Sequence, residues 1–444
     1  MLERIVDVKR EEVRALLWSF AYFFCILCGY YILRPIREEM GLAGGVDKLP
    51  WLFTGTFAAM LVAIPLFSAV VARFPRRRVI PIVYRFFSLN LLIFFALLEL
   101  DVSRVHVGRA FFIWISVFNL FVVSVFWSFM ADIFKSEQSK RLFGFIAAGG
   151  SAGALVGPLI TATLVGPLGA TNLFLVAVVL LEASVSCVSR LDRWAMETAA
   201  RAPSPGGGQS PAAPAQAGTG ERSFEGRDRI GGSVLRGIKL VARSPYLVGI
   251  CLQTLFLTTT ATFLYLEQAR IVAASVADSR GRTAIFANMD FTVNAVALVL
   301  EVLFTGRIMT RLGLGFSLGV LPAMTAAGFV GLAAAPVLGL LAVFQGVRRA
   351  LHYAIERPAR EVLFTVVGRE EKYLSKSFID TVVYRGGDAA SSWVYTSLAM
   401  IGFGAAGIAA VTVPITGAWL LVTQYLTRKQ EAMSAEPDRA IPPP

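Results

Sequence analysis

Four charged side chains, Arg348, Arg349, Arg385 and Asp388, interrupt two segments that are otherwise apolar enough to cross a membrane. An ionised side chain at the centre of a bilayer costs about 3 kcal/mol or more, so residues of this kind usually serve a function. Arginine can hold a phosphate or carboxylate group through two parallel hydrogen bonds, and aspartate can neutralise a cation or carry a proton. The alternative is that these charges lock helices together as buried ion pairs.

The spacing of the polar residues in the first of these segments indicates one helical stripe. At about 100° per residue, Gln345, Arg349, His352 and Glu356 fall within about 60° of one another, with Arg348 beside them. A single stripe of this kind can face a cavity while the rest of the helix faces apolar neighbours.

In the following segment, Arg385, Asp388 and Ser392 share a helical face, so Arg385 can pair with Asp388 locally. If this span begins near Ser377, Asp388 lies about 16 Å along it, roughly half of a 30 Å hydrocarbon core. Membrane transporters have their binding sites at this depth.

The composition describes a polytopic membrane protein. The chain has 444 residues, of which 56% are hydrophobic and 16% are charged, and its mean hydropathy is +0.64. Its net charge of +12 comes from basic residues that flank apolar runs, which is typical of membrane topology and not of a nucleic-acid-binding domain.

Apolar runs of about 20 residues predict twelve transmembrane helices. We place them at 15–34, 49–72, 78–99, 108–131, 142–166, 170–189, 245–266, 284–306, 314–332, 337–356, 377–402 and 405–426. Residues 1–189 and 244–430 then form two six-helix halves. Residues 190–243 form a Pro/Gly/Ala-rich disordered linker, and residues 431–444 form a disordered tail.

The basic residues also predict the topology. The termini, the linker and the other even-numbered loops carry 30 Lys and Arg, against eight in the odd-numbered loops. The positive-inside rule therefore places both termini and the linker in the cytoplasm.

Other charged residues lie in or beside the remaining spans. Arg34 and Arg37 follow the first span, where Pro35 should disturb the helix, so we expect both near the outer mouth, either receiving an anion or anchoring the interface. Asp132 ends the fourth span and could form a gating ion pair.

An acidic stripe crosses the eighth span. Asp290, Asn294 and Glu301 project within about 40° of one another, so a carboxyl group here could carry a proton. The alternative is that Asp290 or Glu301 neutralises a buried arginine.

No cofactor, metal site or catalytic site is predicted. The four cysteines, Cys25, Cys28, Cys187 and Cys251, lie in apolar segments without a neighbouring histidine, so we expect free thiols. The glycines of AAGGSAGALVGP in the fifth span should allow close helix packing and should not cradle a phosphate group. No nucleophile, base and orienting residue can be assembled, which argues against an enzyme.

Several short matches in order resemble the nucleotide transporters (ATP/ADP translocases) of plastids and obligate intracellular bacteria, a family similar to the major facilitator fold. The matches are Tyr31-Ile32-Leu33-Arg34, Phe126-Trp127, Lys140-Arg141, Asp290-Phe291-Thr292 and, within AREVLFTVVGREEKYLSKSFIDTVVYRGG, Ala359, Glu361, Glu370, Glu371, Lys376, Asp380, Arg385 and Gly387. The chain departs from the family at Pro35-Ile36-Arg37-Glu38 and at Asp388, which stands where the family has a lysine.

The resemblance implies an all-α integral membrane protein with twelve transmembrane helices in two six-helix halves, major-facilitator-like, in a bacterial inner membrane. We predict a secondary transporter that moves an organic anion, with a nucleotide or another phosphorylated metabolite as the leading candidate, by alternating access. A proton-coupled carrier of another small solute is the alternative, and a membrane receptor or scaffold that transports nothing is the third. No nucleic acid or obligatory protein partner is expected.

These arguments assign roles to eleven residues. The predicted substrate-binding residues are Arg34, Arg37, Arg348, Arg349, Lys376 and Arg385. The predicted coupling or gating residues are Asp290, Glu301, Glu356, Asp388 and Asp132.

Overall fold

The structure, a computed structural model, describes residues 12–73, 76–134, 136–201, 238–301, 303 and 306–435. The first half contains α1 Val13–Ala43, α2 Leu49–Arg73, α3 Arg76–Glu99, α4 Arg104–Ile133, α5 Ser136–Leu168 and α6 Leu173–Arg201. The second half contains α7 Pro245–Ser275, α8 Ser279–Leu300, α9 Gly306–Ala334, α10 Leu338–Leu363, α11 Arg369–Met400 and α12 Ala405–Ala435. All of the regular elements in the described residues are helices, so the all-α prediction is confirmed.

The described residues form twelve long helices in the order that the sequence predicted. By length and composition, ten helices in the described part of the chain could each span a membrane. The remaining two are α10, which carries Arg348 and Arg349, and α11, which carries Arg385 and Asp388. Each is also interrupted by a π-helical turn, at His352–Glu356 in α10 and at Ile379–Val383 in α11.

The first half is built around α1, which packs against α4, α5 and α6. In its core, the hydroxyls of Tyr22 and Tyr84 lie 2.5 Å apart, and Tyr84 donates a hydrogen bond to the Val122 carbonyl oxygen over 3.3 Å. Both tyrosines are fully buried, so this chain of hydrogen bonds satisfies hydroxyls that have no access to water.

The glycines of α5 allow it to approach the backbone of α1 closely, as the sequence predicted. A Cβ atom would lie 2.5 Å from the Phe20 carbonyl oxygen at Gly149 and 2.6 Å from the Phe24 carbonyl oxygen at Gly153. Any side chain at these positions would force the two helices apart. The four cysteines are free thiols, as expected.

The two halves meet along two helix pairs, α2 with α11 and α5 with α8, and α1 also contacts α8. This arrangement brings the charged residues of α1, α8, α10 and α11 to one interior space between the halves. The fold therefore positions residues that are distant in sequence around a common cavity.

Three predicted boundaries need correction. The α1 helix continues through Pro35 to Ala43, because a proline costs little in a membrane helix whose neighbours cover the freed carbonyl group. The α6 helix continues past residue 190 to Arg201, since Leu191 is buried and Arg190 stacks on the Trp18 ring at 4.2 Å. The α12 helix reaches Ala435, five residues into the predicted tail. The central part of the predicted linker, residues 202–237, lies outside the described residues.

Candidate functional site

A cavity of about 640 Å³ lies between the two halves, and its wall is strongly charged. The acidic residues that line it are Glu38, Asp290, Glu361, Asp380 and Asp388. The basic residues that line it are Arg34, Arg37, Arg348, Arg349, Arg357, Arg360, Lys376 and Arg385. The structure thus brings all six predicted substrate-binding residues to one space, and the basic residues outnumber the acidic ones by eight to five.

The central feature of the cavity is one carboxylate shared by two arginines. Asp290 Oδ1 on α8 accepts a hydrogen bond from Arg349 Nη1 on α10 at 2.7 Å. The same oxygen lies 3.5 Å from Arg34 Nη1 on α1, in the other half. The suggestion that Asp290 neutralises a buried arginine is therefore confirmed, but one negative charge here faces two positive charges.

Arg37 lies closer to the end of α1. It forms an ion pair with Glu38 at 3.0 Å, and its guanidinium lies 3.8 Å from the centre of the Phe112 ring. Tyr265 of the second half donates a hydrogen bond of 2.5 Å to Glu38. Arg34 and Arg37 both line the cavity, which does not support the alternative that they anchor the membrane interface, while their position near the outer mouth stays a prediction. The α1 helix extends beyond both residues to Ala43.

Arg348 has a different environment from the other cavity arginines. It is 4% exposed and donates hydrogen bonds to Thr325 Oγ1 at 3.2 Å, Thr260 Oγ1 at 3.0 Å and the Leu257 carbonyl oxygen at 3.3 Å. These partners lie on α7 and α9. The guanidinium is therefore used mainly to hold α10 against its neighbours, although Arg348 contributes to the cavity wall.

The π-helical turn of α10 divides the predicted stripe. Gln345, Arg349 and His352 line the cavity, but Glu356 is fully buried away from it and pairs with His352 Nδ1 at 2.9 Å. The turn ends two residues before Pro358, and a proline has no amide hydrogen to donate to the carbonyl oxygen four residues earlier. The wider turn rotates Glu356 out of the stripe that regular α-helical spacing predicted.

The second π-helical turn precedes the charged pair of α11. Arg385 Nη1 lies 3.6 Å from Asp388 Oδ2, which confirms the local pairing expected from the sequence. Thr262 of α7 donates a hydrogen bond to the other carboxylate oxygen at 3.3 Å. π-helical turns are frequent at functional sites, and here α10 and α11, two of the four helices that supply cavity charges, each contain one.

The cavity opens toward the connection between α10 and α11. Lys376 pairs with Glu361 at 2.6 Å, and Arg360 lies 3.7 Å from Asp380. The carboxylates of these pairs are 44% and 42% exposed, compared with 4% for the shared carboxylate of Asp290. Side-chain exposure thus rises toward this end of the cavity.

The opposite end is closed by contacts between the halves. Arg282 on α8 pairs with Glu39 on α1 at 2.8 Å. The indole of Trp393 on α11 donates a hydrogen bond of 3.0 Å to Thr54 on α2. We call these two contacts and the Tyr265 to Glu38 hydrogen bond the closed-end seal.

Besides Glu356, two further predicted coupling residues lie outside the central cavity. Glu301 is exposed at the end of α8, about three turns beyond Asp290, and it lines a separate space. Asp132 is exposed at the end of α4 and does not line the central cavity. The acidic stripe therefore does not act as one unit, because only its Asp290 end meets the arginines.

Several cavity residues were missed from the sequence. Arg357 and Arg360 were counted as loop residues, but α10 extends through them to Leu363. Glu38 was noted only as part of the charged stretch after the first span. Its proximity to Tyr265 joins residues 227 positions apart, so no local pattern could indicate it.

Comparisons with known proteins agree with this architecture. Residues 13–353 match the family described as the Major Facilitator Superfamily. Among curated proteins, none matches the sequence.

Solved structures share the fold at low sequence identity. A POT family transporter in complex with a thioalcohol-conjugated peptide has a TM-score of 0.63 and 10% identity, over 96% of this chain and 99% of the other. A peptide transporter POT in complex with sulfate has a TM-score of 0.60 and 13% identity, over 96% and 99%. A bacterial homologue of the human lysosomal transporter Spinster, inward-facing and unoccupied, has a TM-score of 0.52 and 13% identity, over 98% and 100%.

Proposed function

The chain belongs to the Major Facilitator Superfamily of membrane transporters, and we propose that it carries an organic anion through its central cavity. A phosphorylated metabolite, with nucleotides as the first candidates, is the substrate class that the cavity favours. Membership in a transporter superfamily agrees with the prediction that the chain is not an enzyme.

The observation that carries this proposal is the excess of positive charge around Asp290. Arg34 and Arg349 share one carboxylate, so at least one positive charge at this depth is not compensated. A buried, uncompensated charge is costly in a membrane protein. An anionic ligand between the two arginines would offset that cost, whereas a cationic ligand would increase it.

The identity of the basic residues favours phosphate or carboxylate groups. Arginine presents a planar fork of donors that matches these groups with two hydrogen bonds, whereas lysine acts as a point charge. Seven of the eight basic residues that line the cavity are arginines. The exception, Lys376, lies at the open end.

The two halves of the protein each supply one of the central arginines. Arg34 belongs to α1, and Arg349 belongs to α10. An anion bound by Arg34 and Arg349 together would draw the two halves closer at the depth of these residues. Asp290 would then lose part of its contact with Arg34. We propose that this exchange couples substrate binding to closure of the open end, after which the closed-end seal separates.

A proton-coupled carrier of another small solute is the second candidate. Asp290 and Asp388 are both cavity carboxylates, and either could bind a proton during transport. Glu301 no longer supports this alternative, because it is exposed and outside the cavity.

The test is uptake of radiolabelled solutes into proteoliposomes that contain the purified protein, beginning with ATP, ADP and AMP. We expect saturable uptake of a phosphorylated anion, a strong decrease in Arg349→Ala, and unchanged uptake in Arg104→Ala. Arg104 is a matched control because it is 71% exposed and lies outside the cavity. Uptake of neutral or cationic solutes without uptake of any anion would contradict the proposal, and a proton gradient requirement would favour the second candidate.

A further inference from the structure

A second cavity, of about 490 Å³, opens beside the central one. Its walls come from α1 and α5 of the first half and from α8 and α10 of the second. Tyr353, Arg357 and Glu361 line both cavities, so the two spaces adjoin at these residues. We call this second space the side cavity.

The chemistry of the side cavity differs from that of the central cavity. Of the described residues that line it, Arg357 is the single basic one. The α5 wall consists mainly of small residues, Ala147, Gly150 and Ala154, and Ala297 and Glu301 also line the cavity. A Cβ atom at Gly150 would overlap the Phe23 ring, so the glycine allows this ring to lie against α5. The side cavity is therefore a mainly apolar slot with small side chains along α5.

Aromatic residues mark the junction of the two cavities. Tyr31 lines the side cavity, and the guanidinium of Arg34 lies 5.7 Å from the centre of its ring. Tyr353 lies one turn beyond Arg349 on α10 and contacts both spaces. A ligand held at Arg34 and Arg349 therefore has an aromatic passage directly beside its anionic group.

We propose that the side cavity binds a planar ring with polar edges, carried by the same substrate whose anionic group lies at Arg34 and Arg349. The inference rests on the proposed function and specifies the second part of its substrate. The rings of Tyr31 and Tyr353 can stack on a planar group, and the small residues of α5 leave room for it. A volume of about 490 Å³ falls within the range of small-molecule sites.

Polar groups distinguish this slot from one for an acyl chain. Ser151, Asn294 and Glu361 line it together with the two tyrosines. Asn294 Nδ2 donates a hydrogen bond to the Ala154 carbonyl oxygen at 2.7 Å, and Glu361 pairs with Lys376 at 2.6 Å. An acyl chain would offer no hydrogen bond to the Ser151 hydroxyl, to the side-chain oxygen of Asn294 or to the second carboxylate oxygen of Glu361. A ring with nitrogen or oxygen atoms at its edge can satisfy them.

The test compares ATP with inorganic triphosphate, which has a similar anionic group and no ring. Both are measured as competitors of radiolabelled ATP on the purified full-length protein in detergent. We expect ATP to bind about tenfold or more tightly than triphosphate, because stacking of one base on aromatic residues commonly contributes that much.

The variant that tests the cavity itself is Ala147→Phe, which fills the slot from the α5 wall. Its matched control is Ala148→Phe, at the next position, where the side chain is exposed on the outer face of the helix. We expect Ala147→Phe to weaken ATP binding to the level of triphosphate and to leave triphosphate binding unchanged. Retained triphosphate binding also shows that the variant is folded.

The outcomes separate the two proposals. If triphosphate competes in the wild type and ATP binds no more tightly, the side-cavity inference is wrong and the anion proposal stands. If neither competes with any measurable affinity, the proposed function fails and the inference fails with it. If dodecyl phosphate binds as tightly as ATP and loses affinity in Ala147→Phe, the slot holds an acyl chain, which also overturns the inference.

Discussion

Asp290 Oδ1 and Arg349 Nη1 lie 2.7 Å apart at the centre of the cavity, and the same carboxylate oxygen is within 3.5 Å of Arg34 in the other half. The Asp290 side chain is 4% exposed, so the ion pair is shielded from solvent and its geometry matters. A short, charge-assisted hydrogen bond of this type orients the Arg349 guanidinium. The arginine fork is thereby held in place before a ligand arrives.

The first prediction follows from that geometry. Arg349→Lys keeps the positive charge beside Asp290 but removes the fork, so the KM for a phosphorylated substrate should rise about tenfold, the loss of roughly one charge-assisted hydrogen bond. Proteoliposome uptake at varied substrate concentration measures this change. Arg104→Lys, an exposed substitution, is the control. An unchanged KM in Arg349→Lys would show that Arg349 only neutralises Asp290.

The second prediction concerns the closed-end seal. Arg282 of α8 donates a 2.8 Å hydrogen bond to Glu39 of α1, and Arg282→Glu would replace this attraction with repulsion between the halves. The closed end should then open more often. A cysteine placed at Asn119, which lines the cavity, should react several-fold faster with a membrane-impermeant thiol reagent applied from that side.

The double substitution Glu39→Arg with Arg282→Glu is the matched control, because it restores opposite charges across the same contact. It should return the reaction rate toward that of the wild type. Equal rates in the wild type and Arg282→Glu would show that the ion pair contributes nothing to closure.

The sequence predicted the helices well, because each apolar run of bilayer length must form a helix to satisfy its backbone in lipid. The predicted helix ends were wrong where the length of a helix depends on contacts with residues that are distant in sequence. The extension of α6 to Arg201 depends on Arg190 stacking on Trp18 of α1, and the extension of α1 beyond Pro35 depends on covering helices. The length of an apolar run in the sequence reflects the thickness of the bilayer, and the helix itself can continue beyond that run.

For the candidate site too, the sequence indicated which residues to consider but not the contacts that they make with other helices. Charges within or at the end of apolar spans selected five of the eight basic residues that line the cavity, and the family resemblance added Lys376. The sequence could not show that Arg348 is held by Thr260 and Thr325, since those partners lie on other helices. The π-helical turn that removes Glu356 from the polar stripe changes the hydrogen-bonding register within one helix, and regular spacing cannot reveal it.

The third prediction tests which face of α10 meets water. Cysteines at Gln345, Arg349 and His352, in a background without the native cysteines, should react with water-soluble thiol reagents, and substrate should protect those at Gln345 and His352. A cysteine at Leu351 should not react, because Leu351 packs in an apolar cluster with Trp419. Labelling followed by mass spectrometry gives the measurement. Absence of reaction at all of the first three positions would mean that this stripe is only packing.

Asp388 is the remaining cavity carboxylate, and its surroundings allow two roles. It lies 3.6 Å from Arg385, so it could partly neutralise an arginine that binds substrate. It also accepts a hydrogen bond from Thr262 at 3.3 Å and could instead carry a proton through the transport cycle. The resemblance to nucleotide transporters sharpens the question, because that family has a lysine at this position.

The last prediction separates these roles with Asp388→Asn, which preserves the shape of the side chain and an acceptor for Thr262. If Asp388 neutralises Arg385, the variant frees this arginine, so the KM for an anionic substrate should fall severalfold. If Asp388 carries a proton, substrate exchange should persist while accumulation driven by a proton gradient is lost. Both are measured in proteoliposomes between about pH 5 and about pH 8. Transport and accumulation equal to the wild type at every pH would rule out both roles and leave Asp388 as a structural charge.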